Sequence, residues 1–260
     1  MDIYPLQFVG AGPGDPELIT VKGMRALEKA DLVVYAGSLV PDAVLAWTNQ
    51  SVRLENSAKM DLETIVDLMA HAHFEGKKVV RLHSGDPSLY GAIAEQIRAL
   101  EQKGVSCEII PGVTAAFAAA AALKMEYTLP EITQSLILTR LEGRTPVPER
   151  ENLASLAAHG ASMAIYLSAG MAEKLQEVLA ENYGPSAPVA VVYKASHRDE
   201  KILWTEAGNL AQSMKKADIT RQALVIAGSG IKAQKKSEFA ASKLYDKTFT
   251  HGYRHGSESE

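Results

Sequence analysis

Cysteine is nearly absent from this chain. Cys107 is the one thiol among 260 residues, so an intrachain disulfide and a Cys-based zinc site are excluded. It lies in the apolar run VSCEII, with no basic neighbour and no helix start to lower its pKa, and reads as a small core residue. A single thiol fits a reducing compartment. Long hydrophobic runs are missing as well. The longest candidate, Val113 to Met125, is alanine-rich and falls short of the ~20 apolar residues that span a bilayer. The start, MDIYPLQFVG, carries no basic n-region and no signal-type stretch. The expectation is a cytoplasmic protein with no membrane partner. There is no basic excess either: 27 Lys and Arg stand against 31 Asp and Glu, a net charge of -4. That argues against nucleic acid as a partner, and any acidic ligand needs a local basic patch.

What is present is an alternation of strand and helix signals. Strand-like runs fall at Leu6–Val9, Leu32–Tyr35, Lys78–Leu82 and Val105–Ile110. Helical-period segments fall at Glu17–Lys29, Asp61–Glu75, Gly91–Lys103 and Thr114–Leu123. This pattern predicts βαβ units around a largely parallel sheet, with ligands beyond the carboxyl ends of its strands. After a break near residues 127–135, strands become more frequent: Ser135–Thr139, Met163–Leu167, Val189–Tyr193, Ile202–Thr205 and Leu224–Ala227. Helices are expected at Glu149–Ala158, Met171–Asn182 and Gly208–Lys216. The fold class is α/β in two domains, 1–130 with a mostly parallel sheet and 131–231 with a mixed sheet. A polar tail, 232–260, follows. Its last residues, GSESE, read as disordered, while Phe239, Tyr245, Phe249 and Tyr253 are unusual for a solvated tail.

Three strand–loop–helix stretches are rich in small residues. GAGPGDPELIT follows the first strand, but its spacing is not G-x-G-x-x-G, and the acid about 20 positions on, Asp31, opens the second strand instead of closing it. A dinucleotide site is thereby disfavoured, and the phosphate-loop pattern is missing too. Pro13 and Pro16 stiffen this loop, while Gly10, Gly12 and Gly14 permit close backbone approach. HSGDPSLYGAI (from His83) and PGVTAAFAAAAAL (from Pro111) follow two further strands. Three such loops on one sheet edge would build one cleft, with helix N-termini offering N–H groups.

GAGPGDPELIT, SGDPSLYG and PGVTAAFAAAA, in this order and spacing, resemble the tetrapyrrole methylases, which use S-adenosylmethionine. ILTRLEGRTPVPERE, AIYLSAG, VVYKASHRDEKI and QALVIAG extend the likeness over about residues 6–254. TR-x-EGRTPVPE together with VYKAS-x-x-DE is similar to the branch that methylates carbon 11 of precorrin-4 or its cobalt counterpart, in cobalamin biosynthesis.

The resemblance implies a two-domain tetrapyrrole methylase fold, a homodimer, exchange of substrate with neighbouring pathway enzymes, and S-adenosylmethionine held between the domains and leaving as S-adenosylhomocysteine. Carried over by motif, Pro13, Ser84, Gly85, Asp86, Leu89, Thr114 and Ala115 contact this cofactor. Leu167 and Ala195 flank its adenine, with Ala223 nearby. Leu167 stands where relatives often carry Met. Tyr35 and Ser38, which close the second strand, are candidates to face the macrocycle, with a plain core place as the alternative for Tyr35.

The substrate that the resemblance implies is a polycarboxylate. Arg140 and Arg144 are its candidate anchors, against local pairing with Glu142, Glu149 or Glu151. Lys194, His197 and Arg198 form a second basic cluster, with a solvated turn pairing Asp199 and Glu200 as the alternative. Methyl transfer from a sulfonium needs positioning and no metal. Tyr35, His83 and Asp86 are the candidates for a catalytic role. For Asp86 the stronger expectation is a helix cap, and for His83 a structural place. His71 and His73, two apart on one helix, do not share a face and make a poor metal pair. The rival readings are another ring-carbon methylase such as the uroporphyrinogen-III enzyme, a nicotinamide-dependent oxidoreductase, and a non-enzymatic tetrapyrrole carrier.

Overall fold

The computed structural model describes residues 4–37, 39–236 and 239–257. Its chain divides into two compact units. The first runs to Ala118 and also takes in Lys194–Glu200; the second holds Ala119–Tyr193 and the chain from Lys201 onward.

The first unit is built on a five-stranded sheet of β1 (Leu6–Gly10), β2 (Leu32–Tyr35), β3 (Arg53–Asn56), β4 (Val79–His83) and β5 (Cys107–Ile110). Their order is β3-β2-β4-β1-β5 and every pairing is parallel. The side-chain period of two sends Leu6 and Phe8 to one face, where they meet Met69 and Leu100 from α3 (Leu62–Phe74) and α4 (Ile93–Gln102). Val9, Val33 and Leu82 point the other way, onto Leu27 of α1 (Val21–Glu28) and Val44 of α2 (Asp42–Leu45). The alternating sequence therefore gives the parallel sheet it implies, covered on both faces.

Three local differences have physical causes. β3 carries no apolar run because it is an edge strand, exposed along most of its length. The helix expected over Glu17–Lys29 is divided: Pro16–Leu18 forms a 3-10 turn, and Thr20 then caps α1 by accepting from Gly23 N at 3.1 Å. α4 starts only at Ile93, after left-handed Tyr90 and Ala92.

The second unit has a sheet of β6 (Leu136–Arg140), β7 (Ser162–Tyr166), β8 (Pro188–Tyr193), β9 (Lys201–Glu206) and β10 (Ala223–Ala227), ordered β6-β7-β10-β8-β9. Only β6–β7 is parallel, so the sheet is mixed, as expected. Met163, Ile165, Val189, Val191 and Val225 pack on Leu175 and Leu179 of α7 (Ala172–Tyr183). α5 (Ala115–Leu123) and α6 (Leu153–Ala157) precede α7, and α8 (Leu210–Lys216) follows β9. α9 (Ser229–Lys236) crosses residue 232, where the sequence turns polar, and buries Ile231 and Ala233. Beyond it, Arg254 holds the carbonyls of Leu244 and Asp246. Of GSESE, residues 258–260 lie outside the described residues. Among the described residues no helix is long and apolar enough to cross a membrane.

Candidate functional site

The carboxyl ends of β4, β1 and β5 lie side by side, and the three glycine-bearing loops leave from them. They are locked together by backbone. Gly12 and Gly85 exchange hydrogen bonds, 3.3 Å from Gly12 N to Gly85 O and 2.8 Å from Gly85 N to Gly12 O. A Cβ on Gly10 would stand 2.6 Å from Gly112 Cα and 2.6 Å from Gly85 O; one on Gly112 would stand 2.1 Å from Gly85 O. Glycine is required here because three main chains touch. Gly12 and Gly85 also have positive φ, 80° and 64°.

Asp86 fastens the same joint. One carboxylate oxygen accepts from Ser88 N at 2.8 Å, the other from Gly112 N at 2.8 Å. This corrects the expectation of a helix cap: α4 begins seven residues later, and Asp86 instead ties the second loop to the third. Pro13 and Gly85 are buried, Ser84 and Leu89 half-buried, Thr114 buried and Ala115 half-buried at the start of α5. These residues are all brought to one edge.

Segment 194–200 joins them. Ser196 Oγ accepts from Asp15 N at 3.0 Å, and the His197 ring fills the space where a Cβ on Gly14 would fall, 2.2 Å from its Cδ2. Lys194 and Ser196 take positive φ, 47° and 65°. Ala195 is buried between them. Lys194 Nζ pairs with Asp199 at 2.5 Å and Glu200 accepts from Ser196 N at 2.7 Å. Arg198 is exposed. Sequence reasoning missed the attachment of Ser196 to the glycine loop, since a contact 181 residues apart leaves no local signal.

His83 ends β4 at 4% exposure, stacked on Phe8 with ring centroids 5.9 Å apart. Burial, with the Arg81 charge as a smaller cause, pushes its pKa down to about 3, so the imidazole is neutral and Nε2 has no partner. It is a core residue at the edge of the site. Tyr35 is half-buried, and its carbonyl accepts from Ser57 Oγ at 3.0 Å. Ser38 lies outside the described residues. Burial raises the Cys107 thiol to about 11, with Glu101 adding to the shift, so the group is protonated at neutral pH. Among the described residues no cluster of His, Cys, Asp and Glu could hold a metal ion.

In the second unit, Arg140 is held by its own loop, donating to the carbonyls of Leu141 (3.2 Å), Thr145 (3.2 Å) and Pro146 (2.8 Å). It shapes the loop after β6. Arg144, on that loop, is exposed and makes no ion pair among the described residues. Buried Ser168 joins β6 to β7, accepting from Leu141 N at 2.8 Å and donating to Tyr166 O at 2.6 Å. Leu167 just before it is 65% exposed at φ 52°, a bare apolar side chain held by strained backbone. The pairing Val225↔Ile165 puts Ala223 level with Leu167.

A family model for tetrapyrrole (corrin/porphyrin) methylases matches residues 5–211. A cobalt-precorrin-4 C(11)-methyltransferase of Methanocaldococcus jannaschii is 52% identical over 95% of this chain and 94% of its own length. The X-ray structure of a cobalamin biosynthetic enzyme, cobalt precorrin-4 methyltransferase, superposes with a TM-score of 0.84 at 47% identity, covering 86% of this chain and 94% of that one. A uroporphyrin-III C-methyltransferase from Thermus thermophilus, complexed with S-adenosylhomocysteine, gives 0.73 at 26% identity, covering 88% and 99%.

Proposed function

The chain belongs to the tetrapyrrole methylase family, and from that premise we propose that it transfers a methyl group from S-adenosylmethionine to carbon 11 of precorrin-4, with or without cobalt at the centre of the macrocycle. The observation that carries the reading is the joint at Gly10, Gly85 and Gly112, which gathers all three family motifs at one sheet edge.

S-adenosylmethionine supplies the methyl as an electrophilic carbon on a charged sulfonium. The first unit's residues suit such a donor. They offer main chain, small side chains and the apolar Pro13 and Leu89, without the lysine that a phosphate loop brings. A Cβ on Gly85 would come 3.7 Å from Thr114 Cα and 3.9 Å from Val113 O, so the space between the second and third loops is one a side chain would occupy. The cross-links through Asp86 and Ser196 hold these loops in one arrangement before any ligand arrives. Methyl transfer draws on alignment of sulfur, methyl and acceptor carbon, which supplies up to about 7–11 kcal/mol of barrier reduction.

Leu167 and Ala223 offer an apolar surface for adenine in the second unit, and Arg144 a guanidinium for a substrate carboxylate. Tyr35 and Ser38 are assigned to the macrocycle. His83 is given no proton-transfer role, because it is buried and neutral. Two copies are proposed to associate as a homodimer, which sedimentation tests. The proposed activity is tested with labelled S-adenosylmethionine and separate precorrin-4, cobalt-precorrin-4 and uroporphyrinogen III. Label in a precorrin-4 product supports it. Label in uroporphyrinogen alone assigns the other branch, and binding without label transfer makes the chain a carrier.

A further inference from the structure

We propose that Arg81 forms the floor of a carboxylate-binding subsite at the carboxyl edge of the first unit's sheet. The inference deepens the tetrapyrrole reading and rests on it for the identity of the ligand.

Arg81 is in the middle of β4, in the centre of the sheet, and is only 5% exposed. Every partner it has is neutral. Nε donates to Gln96 Oε1 at 3.0 Å; Nη1 donates to Val34 O at 3.2 Å and Ser57 Oγ at 2.9 Å. No carboxylate comes within ion-pair distance of it among the described residues. Burial alone draws its pKa down to about 10, with no acidic neighbour to oppose the fall. A buried cation without a counter-ion is costly for a fold to keep, and an apolar residue of similar size would serve packing better.

The guanidinium also has an unused group. Nη2 makes no hydrogen bond among the described residues, and it is not one of the two fully buried atoms left unpartnered, which are His83 Nε2 and Arg254 Nε. Nη2 is therefore the nitrogen of Arg81 whose hydrogens are uncommitted among the described residues. Its direction follows from the register. The Arg81 Cα is level with Val34, whereas Ser57 lies beyond the last rung, Tyr35↔Asn56. The side chain thus reaches toward the carboxyl ends of β2 and β3, the same edge of the sheet but on the opposite side of β4 from the loops after β1 and β5. Gln96 is in the first turn of α4, whose N-terminus adds to the positive field. His83, two residues along the same face, contributes no negative charge.

A single charged hydrogen bond from Nη2 to a carboxylate oxygen satisfies this arrangement. Two sources share that chemistry: an acidic side chain of the tetrapyrrole, and the amino-acid end of the methyl donor. Arg81→Met keeps the volume and removes the charge. The variant and wild type are compared by KM and kcat for precorrin-4, by calorimetric Kd for S-adenosylhomocysteine and for methylthioadenosine, which lacks the carboxylate, and by melting in sodium formate against sodium chloride.

The expected result is a roughly tenfold rise in KM for precorrin-4 with kcat and both nucleoside affinities held, and formate protection of wild type alone. A tenfold loss for S-adenosylhomocysteine but not methylthioadenosine also supports the subsite and assigns it to the donor. Values within about twofold throughout, with formate acting alike on both proteins, overturn it. Should the methionine variant not fold, Arg81→Lys carries the same comparison, because one ammonium cannot serve Gln96, Val34 and Ser57 and still reach a ligand. Absence of turnover in wild type would instead defeat the tetrapyrrole reading, and the formate arm still tests Arg81.

Discussion

Replacing Gly112 with alanine tests whether the glycine joint is a packing device. The new Cβ would fall 2.1 Å from Gly85 O, 2.8 Å from Gly10 Cα and 3.0 Å from Gly10 C. All three are main-chain atoms of central strands or their loops, so none moves without the sheet edge. Overpacking of this kind costs about 1–3 kcal/mol. Relief by moving the third loop outward stretches the bond from Gly112 N to the Asp86 carboxylate, now 2.8 Å, which is worth about 1.5–3 kcal/mol. Together these give about 3–5 kcal/mol, and a melting temperature lower by on the order of 10 °C in calorimetry. Gly104→Ala is the control. Its φ is 81° but nothing lies within 4 Å, so only backbone strain of about 1 kcal/mol is expected. A Gly112→Ala protein that melts within ~2 °C of wild type, or no lower than Gly104→Ala, refutes the interlock.

Asp86→Ala frees both Ser88 N and Gly112 N and should weaken S-adenosylhomocysteine binding with a stability loss of about 2 kcal/mol, whereas unchanged calorimetric affinity would separate the clamp from the cofactor. Ser168→Ala strands the buried Leu141 N–H and is expected to cost about 1–3 kcal/mol in urea unfolding, a loss that would vanish if water took the hydroxyl's place. The depressed pKa of His83 means the unfolded chain takes up a proton near 6.5 that the folded chain refuses until about 3. Stability is full above pH 6.5 and falls as pH drops from there toward 3, by up to ~1.4 kcal/mol per pH unit; His83→Phe should flatten that slope, and an unaltered slope would locate the effect elsewhere. Arg144→Ala is expected to raise KM for the tetrapyrrole and leave donor affinity intact; equal loss of both would indicate a role in folding.

Most of the architecture was legible because it is written in local periodicity. Nine strands show as short apolar runs. β3 does not, because an edge strand reading Arg-Leu-Glu-Asn has no buried face to advertise. The three motif loops were legible as candidates, and the failed dinucleotide spacing at Gly10–Asp15 was informative in itself. What escaped the sequence was how the loops are fastened. The bond from Gly112 N to Asp86, the bond from Asp15 N to Ser196 and the neutral cage around Arg81 all join residues well separated in the chain. Nothing in the immediate neighbours of Arg81 sets it apart from an ordinary strand arginine on an exposed face. Arg140 illustrates the converse: it was readable as an anchor by type and place, while its donors go to the carbonyls of its own loop.

The most direct measurement is the position of the new methyl group. The protein is incubated with precorrin-4 and S-adenosylmethionine bearing ¹³C in its methyl, and the product is read by NMR. A single enriched methyl coupled to carbon 11 is the expected spectrum. Enrichment at any other ring carbon, or a recovered macrocycle with no enrichment while the donor is unspent, would contradict the proposed reaction.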